Sequence, residues 1–286
     1  MGAGKVTLLV TGANGQLGQE LIRLGNDQVT IVGYGRDQLD VTNLSQCREM
    51  VAAVRPNAII HAGAYTAVDK AETEPDEAYR INAMGTRNLT LAANEYGAKL
   101  CYVSTDYVFD GTSTEPYNEY DNTNPQTVYG KSKRAGEVLL QSLSNQYFIV
   151  RSSWIYGKYG NNFVKTMLKL GSEREYVSVV HDQLGSPTYT YDLGRFLIEL
   201  VQTEAYGIYH ASNTGTCSWY EFAQAIFEES NMSIRTEPCT TEEFPRPAPR
   251  PAFSVMDHSA IRQNGLTDLR PWREGLKAFM KDQILD

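Results

Sequence analysis

Val6-Thr7-Leu8-Leu9-Val10-Thr11-Gly12-Ala13-Asn14-Gly15-Gln16-Leu17-Gly18 is an apolar run that breaks into three regularly spaced glycines. Continuous apolarity predicts a strand buried on both faces, as in a parallel sheet. Gln19-Glu20-Leu21-Ile22-Arg23-Leu24 follows and reads as a helix. Strand, glycine turn and helix form the setting of a dinucleotide-binding fingerprint. Gly12 permits the sharp turn, Gly15 lets a pyrophosphate approach the backbone, and Gly18 lets the helix pack on the strand. The helix N-terminus favours the phosphates, with Asn14, Gln16 and Leu17 in the same loop. The spacing is G-x-x-G-x-x-G, and a tight turn without ligand is the competing reading.

Outward from this turn, strands and helices alternate. Val29–Val32 reads as the second strand, Ser45–Val54 as a helix, and Ala58–Ala64 as the third strand. A long amphipathic helix is expected over Pro75–Tyr96, a fourth strand over Leu100–Ser104, a helix over Thr127–Leu143 and a fifth strand over Phe148–Arg151. This alternation predicts an α/β fold: a Rossmann-type, doubly wound parallel sheet. After Trp154 the pattern loosens, so we expect a dinucleotide-binding domain over 1–153 and a smaller substrate-binding lobe over 154–286, with a boundary the chain is free to cross again.

The bulk numbers narrow the function. At 286 residues with 42% hydrophobic content the chain can bury a sizeable core without staples. A net charge of -8 argues against a nucleic-acid surface. Four cysteines and four histidines are scattered, so neither a zinc site nor a disulfide framework is expected, and the thiols read as buried and reduced. The opening apolar run is short for a signal peptide and no stretch is long enough for a membrane span, which predicts a cytoplasmic protein with no membrane partner.

Ligands of open α/β sheets bind at the C-terminal strand ends. At the second lies Gly33-Tyr34-Gly35-Arg36; Arg36 reads either as a partner for a 2′-phosphate, favouring NADPH, or as a solvated arginine. Asp40 and Val41 follow, the aspartate meeting an adenine edge or capping the next helix. The third ends in small residues, Ala62-Gly63-Ala64, that allow a cofactor to lie across it. The fourth ends in Thr105-Asp106. Tyr129 and Lys133 are four apart, hence on one helical face. A nearby ammonium would favour the phenolate and lower the tyrosine pKa, making a proton donor or acceptor for a carbonyl–alcohol pair. With eighteen tyrosines present, the spacing carries weight only because of what surrounds it.

Those motifs together resemble the extended short-chain dehydrogenase/reductases. The blocks Ala64–Glu72, Ser104–Phe109, Arg151–Tyr156, Gly160–Phe163, Asp182–Thr188 and Arg250-Pro251 resemble, in order along nearly the whole chain, the dTDP-4-dehydrorhamnose reductase family. The resemblance implies NADPH- or NADH-dependent reduction of the 4-keto group of a dTDP-sugar in polysaccharide biosynthesis. It implies Tyr129 as proton donor, Lys133 as its activating, ribose-binding partner, and Thr105 as the group that orients the sugar. Gly15, Gln16 and Leu17 match the pyrophosphate loop, Asp40 and Val41 adenine contacts, and Ala64, Tyr65 and Thr66 contacts near the nicotinamide. Asp106, Trp154, Asn162 and Arg250 are implied on the substrate side.

Two rivals share the scaffold: a nucleotide-sugar epimerase, and a non-catalytic subunit like the regulatory subunit of methionine adenosyltransferase. Dehydratase relatives place a glutamate after the Thr-Asp pair, where this chain has Tyr107. Some family members form metal-bridged dimers through glutamates; one such position falls at Glu20, but its counterpart falls at Tyr191, which argues against a Mg2+ bridge while leaving a homodimer expected.

Overall fold

The computed structural model describes residues 5–284; the ends of the expected domain bounds, 1–4 and 285–286, lie outside it. The first half runs β1 (Val6–Thr11), α1 (Gln16–Arg23), β2 (Val29–Tyr34), α2 (Leu44–Val54), β3 (Ala58–His61), α3 (Val68–Ala71), α4 (Pro75–Tyr79), a π-helical turn (Arg80–Gly85), α5 (Thr86–Tyr96), β4 (Lys99–Thr105), α6 (Val128–Leu143) and β5 (Tyr147–Ser152). The second half runs β6 (Ile155–Tyr156), α7 (Phe163–Glu173), β7 (Tyr176–Val180), β8 (Leu184–Gly185), β9 (Thr188–Tyr189), α8 (Thr190–Leu200), β10 (Gly207–His210), β11 (Cys217–Ser218), α9 (Trp219–Glu229), β12 (Arg235–Cys239), α10 (Ser259–Gln263) and α11 (Trp272–Ile284).

Six strands form one parallel sheet in the order β10-β5-β4-β3-β1-β2. The apolar runs are continuous because both faces are covered. Leu8 and Val10 of β1 join the core under α1 and α8, while Leu9 joins the opposite core under α2 and α5. Phe148 and Val150 divide from Ile149 in the same way on β5. The alternation is the two-residue period of a strand, hidden in the sequence because no face is polar.

Two elements depart from the simple reading. The expected helix over 75–96 is helical throughout but carries the π-turn, whose wider ladder presents Asn82 inward, fully buried. And the chain returns after the fifth strand: α8 packs on α1, with Leu193 and Leu197 beside Leu17 and Leu21, and β10 extends the sheet beyond β5. Residues 190–211 thus complete the layer built around the six-stranded sheet. The lobe between and after them has its own core, built from Tyr156, Val164, Met167, Phe222, Ile226 and Phe279. All four cysteines are free and buried. Among the described residues no helix is long and apolar enough to cross a membrane.

Candidate active site

A cleft of about 1790 Å³ runs along the C-terminal strand ends between the sheet and the second lobe. Its floor is the turn after β1. Gly12 has φ +69, and a Cβ there would fall 2.6 Å from the Gly63 backbone; only glycine combines the left-handed conformation with that approach. A Cβ on Gly18 would meet the Gly12 carbonyl oxygen at 2.2 Å, so this position sets how closely α1 sits on the turn. Gly15 is the N-cap of α1, with no side chain on the free N–H groups and no acidic residue in the first turn. That donor set fits a pyrophosphate. Gly12, Asn14, Gly15, Gln16, Leu17, Gly18, Arg36, Asp40, Val41, Ala62, Gly63, Ala64, Tyr65 and Thr66 all line the cleft.

Several of these side chains have local duties too. Asp40 does not cap α2; Asn43 does, accepting from Gln46 N. Asp40 closes its own turn, its Oδ1 accepting from Thr42 N at 3.0 Å and Thr42 Oγ1 at 2.8 Å, and this holds its carboxyl below the usual range. Arg36 is largely exposed, its nearest anion being Glu77 at 4.0 Å. Tyr65 is anchored at both ends: Asn82 Oδ1 accepts its N–H at 2.8 Å, and its hydroxyl donates to Glu74 at 2.7 Å.

The reacting end lies between β4 and α6. Thr105 closes β4, caps the short 3₁₀ turn Asp106–Val108 and lines the cleft. Its Oγ1 accepts from Tyr107 N at 3.2 Å and donates to Asp106 Oδ1 at 2.9 Å. Asp106 is buried, and desolvation pushes its carboxyl up to about 6 against the Thr105 hydrogen bond. Its Oδ2 has no hydrogen-bond partner among the described residues. Thr127 caps α6, accepting from Gly130 N, and so fixes the helix start that carries Tyr129. Tyr129 stands edge-on to Tyr107 with ring centroids 5.5 Å apart.

The expected lowering of the tyrosine pKa by Lys133 is corrected here. Burial pushes the Tyr129 phenol up to about 12, with only the neighbouring Thr105 hydroxyl pulling it down. Lys133 is itself buried, and desolvation brings its ammonium down to about 7 despite Glu137. Its Nζ donates to Val103 O at 2.7 Å and lies 4.0 Å from the Tyr102 ring centroid. A dry site penalises both charged forms, and the ammonium is committed to a backbone carbonyl.

Beneath these groups lies a buried ion pair absent from the sequence reading. Glu137 accepts from Ser104 Oγ at 2.6 Å and from Arg151 Nε and Nη2 at 3.0 and 2.8 Å, and Arg151 reaches His210 at 3.4 Å. This ties the ends of β4, β5 and β10 to the helix of Tyr129 and Lys133. A carboxylate four residues past Lys133 was its only sequence signal.

On the opposite wall Trp154 has φ +48 and stacks on Trp219 at 3.5 Å, both lining the cleft. Trp219 was not among the expected site residues. Arg250 lines the cleft, paired with Asp69. Asn162 does not line it: it caps α7, accepting from Lys165 N, and its amide donates to Gln16 Oε1 at 3.1 Å and Gly157 O at 2.8 Å, joining the two lobes. The far end of the cleft is formed by β7 with Phe244 and Arg246, which the sequence reading placed in no site. Glu20 is fully buried and paired with Arg23, whose guanidinium lies over the Tyr191 ring. Among the described residues no group of three or more His, Cys, Asp and Glu side chains is placed to hold a metal.

Comparison with known proteins agrees over the whole length. The family described as RmlD substrate binding domain matches residues 6–284. The chain is 43% identical over 277 residues to the spore coat polysaccharide biosynthesis protein SpsK of Bacillus subtilis, covering 96% of this chain and 97% of that one. It is 42% identical over 285 residues to the dTDP-4-dehydrorhamnose reductase of Aggregatibacter actinomycetemcomitans, covering 94% and 97%. The crystal structure of dTDP-4-dehydrorhamnose reductase from Bacillus anthracis in complex with NADP superposes with a TM-score of 0.96 at 51% identity, over 97% of this chain and 99% of that one.

Proposed function

The chain belongs to the RmlD substrate binding domain family, and on that premise we propose that it reduces the 4-keto group of dTDP-4-dehydro-β-L-rhamnose to give dTDP-L-rhamnose for a cell-surface polysaccharide. The observation that carries this reading is the cleft itself, with a phosphate-binding turn at one end and Thr105, Asp106 and Tyr129 around one point at the other. A bound nicotinamide cofactor supplies the hydride. NADPH is the favoured form, supported by Arg36 at the end of β2 and by the NADP complex of the Bacillus anthracis relative.

The protein's part is orientation and proton supply. Tyr129, with its phenol held up to about 12, is fully protonated at neutral pH and so present as the acid. The Thr105 O–H, held by Asp106 before the sugar binds, turns to donate to the keto oxygen and fixes where it lies. Loss of the proton leaves a phenolate in a dry site; that charge favours the protonated form of Lys133, whose ammonium keeps donors beyond the one given to Val103 O. Asp106, with a free oxygen, takes sugar hydroxyls; Trp154 walls the ring; Arg250 meets the diphosphate. We further take the enzyme to be cytoplasmic and a homodimer acting on a small nucleotide-sugar.

The test follows NADPH and NADH absorbance with dTDP-4-dehydrorhamnose. Stoichiometric NADPH consumption by the wild type, and loss of about 100- to 10,000-fold in kcat for Tyr129→Phe, are expected. Equal activity of the two proteins rejects the role of Tyr129. Product formed without net NADPH consumption points to an epimerase, and a stable protein partner with no turnover points to a regulatory subunit.

A further inference from the structure

The stretch Phe244-Pro245-Arg246-Pro247-Ala248-Pro249-Arg250-Pro251 places proline at every second position. Proline carries no N–H, so this strap has half the usual donors and builds no ladder of its own. It has no regular secondary structure, yet two of its arginines line the cleft. One carboxylate fastens it to the nucleotide-binding layer. Asp69 Oδ2 accepts from Arg250 Nη2 at 2.9 Å, and Asp69 Oδ1 accepts from Ala248 N at 3.2 Å. Arg250 Nη1 donates back to Ala248 O at 3.1 Å, which closes the ring. The side chain of Arg250 is only 19% exposed.

Asp69 is not in the cleft wall, whereas Ala67, Val68 and Arg250 are. It therefore acts on the guanidinium from behind. Two of the five N–H groups of Arg250 are engaged at that edge, and the others remain available on the cleft side. The arginine is close enough to Tyr107 to favour its phenolate, and Tyr107 stands against Tyr129. Asp69 lies in α3, and the residue that ends this helix reaches the catalytic helix too: Glu72 Oε1 accepts the N–H of Val128, the first residue of α6. One turn of chain thus fixes the strap at one point and the start of the Tyr129 helix at another.

We infer that Asp69 is a positioning residue for substrate binding: it holds Arg250 and its proline strap at a set distance from Tyr129, so that the guanidinium meets the diphosphate of the nucleotide-sugar. This rests on the reading of the substrate as a dTDP-sugar. An unfastened strap has to be ordered by the ligand, which lowers affinity without altering the chemical step. Asp69 stays on its edge of the guanidinium while the anion takes another, as planar, multi-donor arginine allows.

The experiment measures dTDP binding by calorimetry, NADPH binding by fluorescence, and steady-state kinetics with the sugar substrate for wild type, Asp69→Ala, Asp69→Asn, Arg250→Ala and the double alanine variant. Asp69→Ala is expected to weaken dTDP about tenfold or more and to raise KM for the sugar nucleotide in parallel, with a much smaller change in kcat. Retained NADPH affinity shows that the fold persists. Asp69→Asn keeps an acceptor for Ala248 N and falls between. The double variant should be no worse than Arg250→Ala, since Asp69 works through that arginine. Unchanged or tighter dTDP binding by Asp69→Ala overturns the inference, as do losses that add in the double variant. A wild type that does not bind dTDP overturns it together with the substrate reading. If dTDP binding follows the expected pattern but dTDP-4-dehydrorhamnose is not reduced, the positioning role stands and only the proposed reaction falls.

Discussion

Replacing Asp106 by Asn should make the protein more stable at neutral pH, although it removes a polar group from the reacting end of the cleft. The carboxyl is 4% exposed, and burial raises it from 3.8 to about 6. A carboxyl whose pKa is higher in the folded state binds its proton more tightly there. Its contribution is therefore fully present below about 3.8 and is lost as pH rises through about 6. At about 1.4 kcal/mol per unit, the cost of carrying the charge in the fold is about 3 kcal/mol at pH 8. Asparagine keeps an oxygen to accept from Thr105 and carries no charge, so Asp106→Asn should exceed the wild type by up to about 3 kcal/mol at pH 8 and approach it near pH 4. Urea unfolding of both proteins at four pH values from 4 to 8 measures the difference, in which the other carboxylates cancel. A gap that stays constant across this range, or that grows on acidification, refutes the assignment of a strained, desolvated charge. The stabilised variant should at the same time lose substrate affinity, because the amide presents a donor where the carboxylate offered a second acceptor.

Two further perturbations probe the frame. Arg151→Met leaves the fully buried Glu137 without its bidentate partner and should cost about 3–5 kcal/mol in unfolding free energy, while a second change, Glu137→Leu, should restore most of it; additive losses would deny the pairing. Gly18→Ala drives a methyl into the Gly12 carbonyl, so α1 must shift off the turn; about 1–3 kcal/mol of stability and at least a tenfold loss in NADPH affinity are expected, and unchanged cofactor titration would show that the turn does not hold the phosphates.

Much of the nucleotide-binding layer was legible because the relevant forces are local. The run Val6–Val10 and the glycines after it could only be a buried strand and a tight turn, and they became β1 and the N-terminus of α1. Tyr129 and Lys133 on one face follow from helix geometry alone, whereas Thr127, read as the first helical residue, is the cap. The place of α8 on α1 was not legible, because apolar spacing reveals a buried face without its partner. The π-turn that buries Asn82 gave no signal in spacing or composition. Asn162 suggested a substrate contact by its neighbours in the chain, and instead joined two lobes through Gln16.

The sequence by itself determined a parallel sheet with a phosphate-binding turn, a Tyr/Lys pair on one helical face and a threonine at a strand end, because spacing and turn chemistry operate over a few residues. Only the tertiary structure decided the electrostatics of those groups and the partners that hold them. Residue spacing suggested a lysine that acidifies a tyrosine; burial instead raises Tyr129 and lowers Lys133, since desolvation depends on everything packed around a charge. Glu137 with Arg151, Trp154 on Trp219, and Asp69 with Arg250 join residues 14, 65 and 181 positions apart. Contacts of that kind come from how the layers close on one another, which no local pattern encodes.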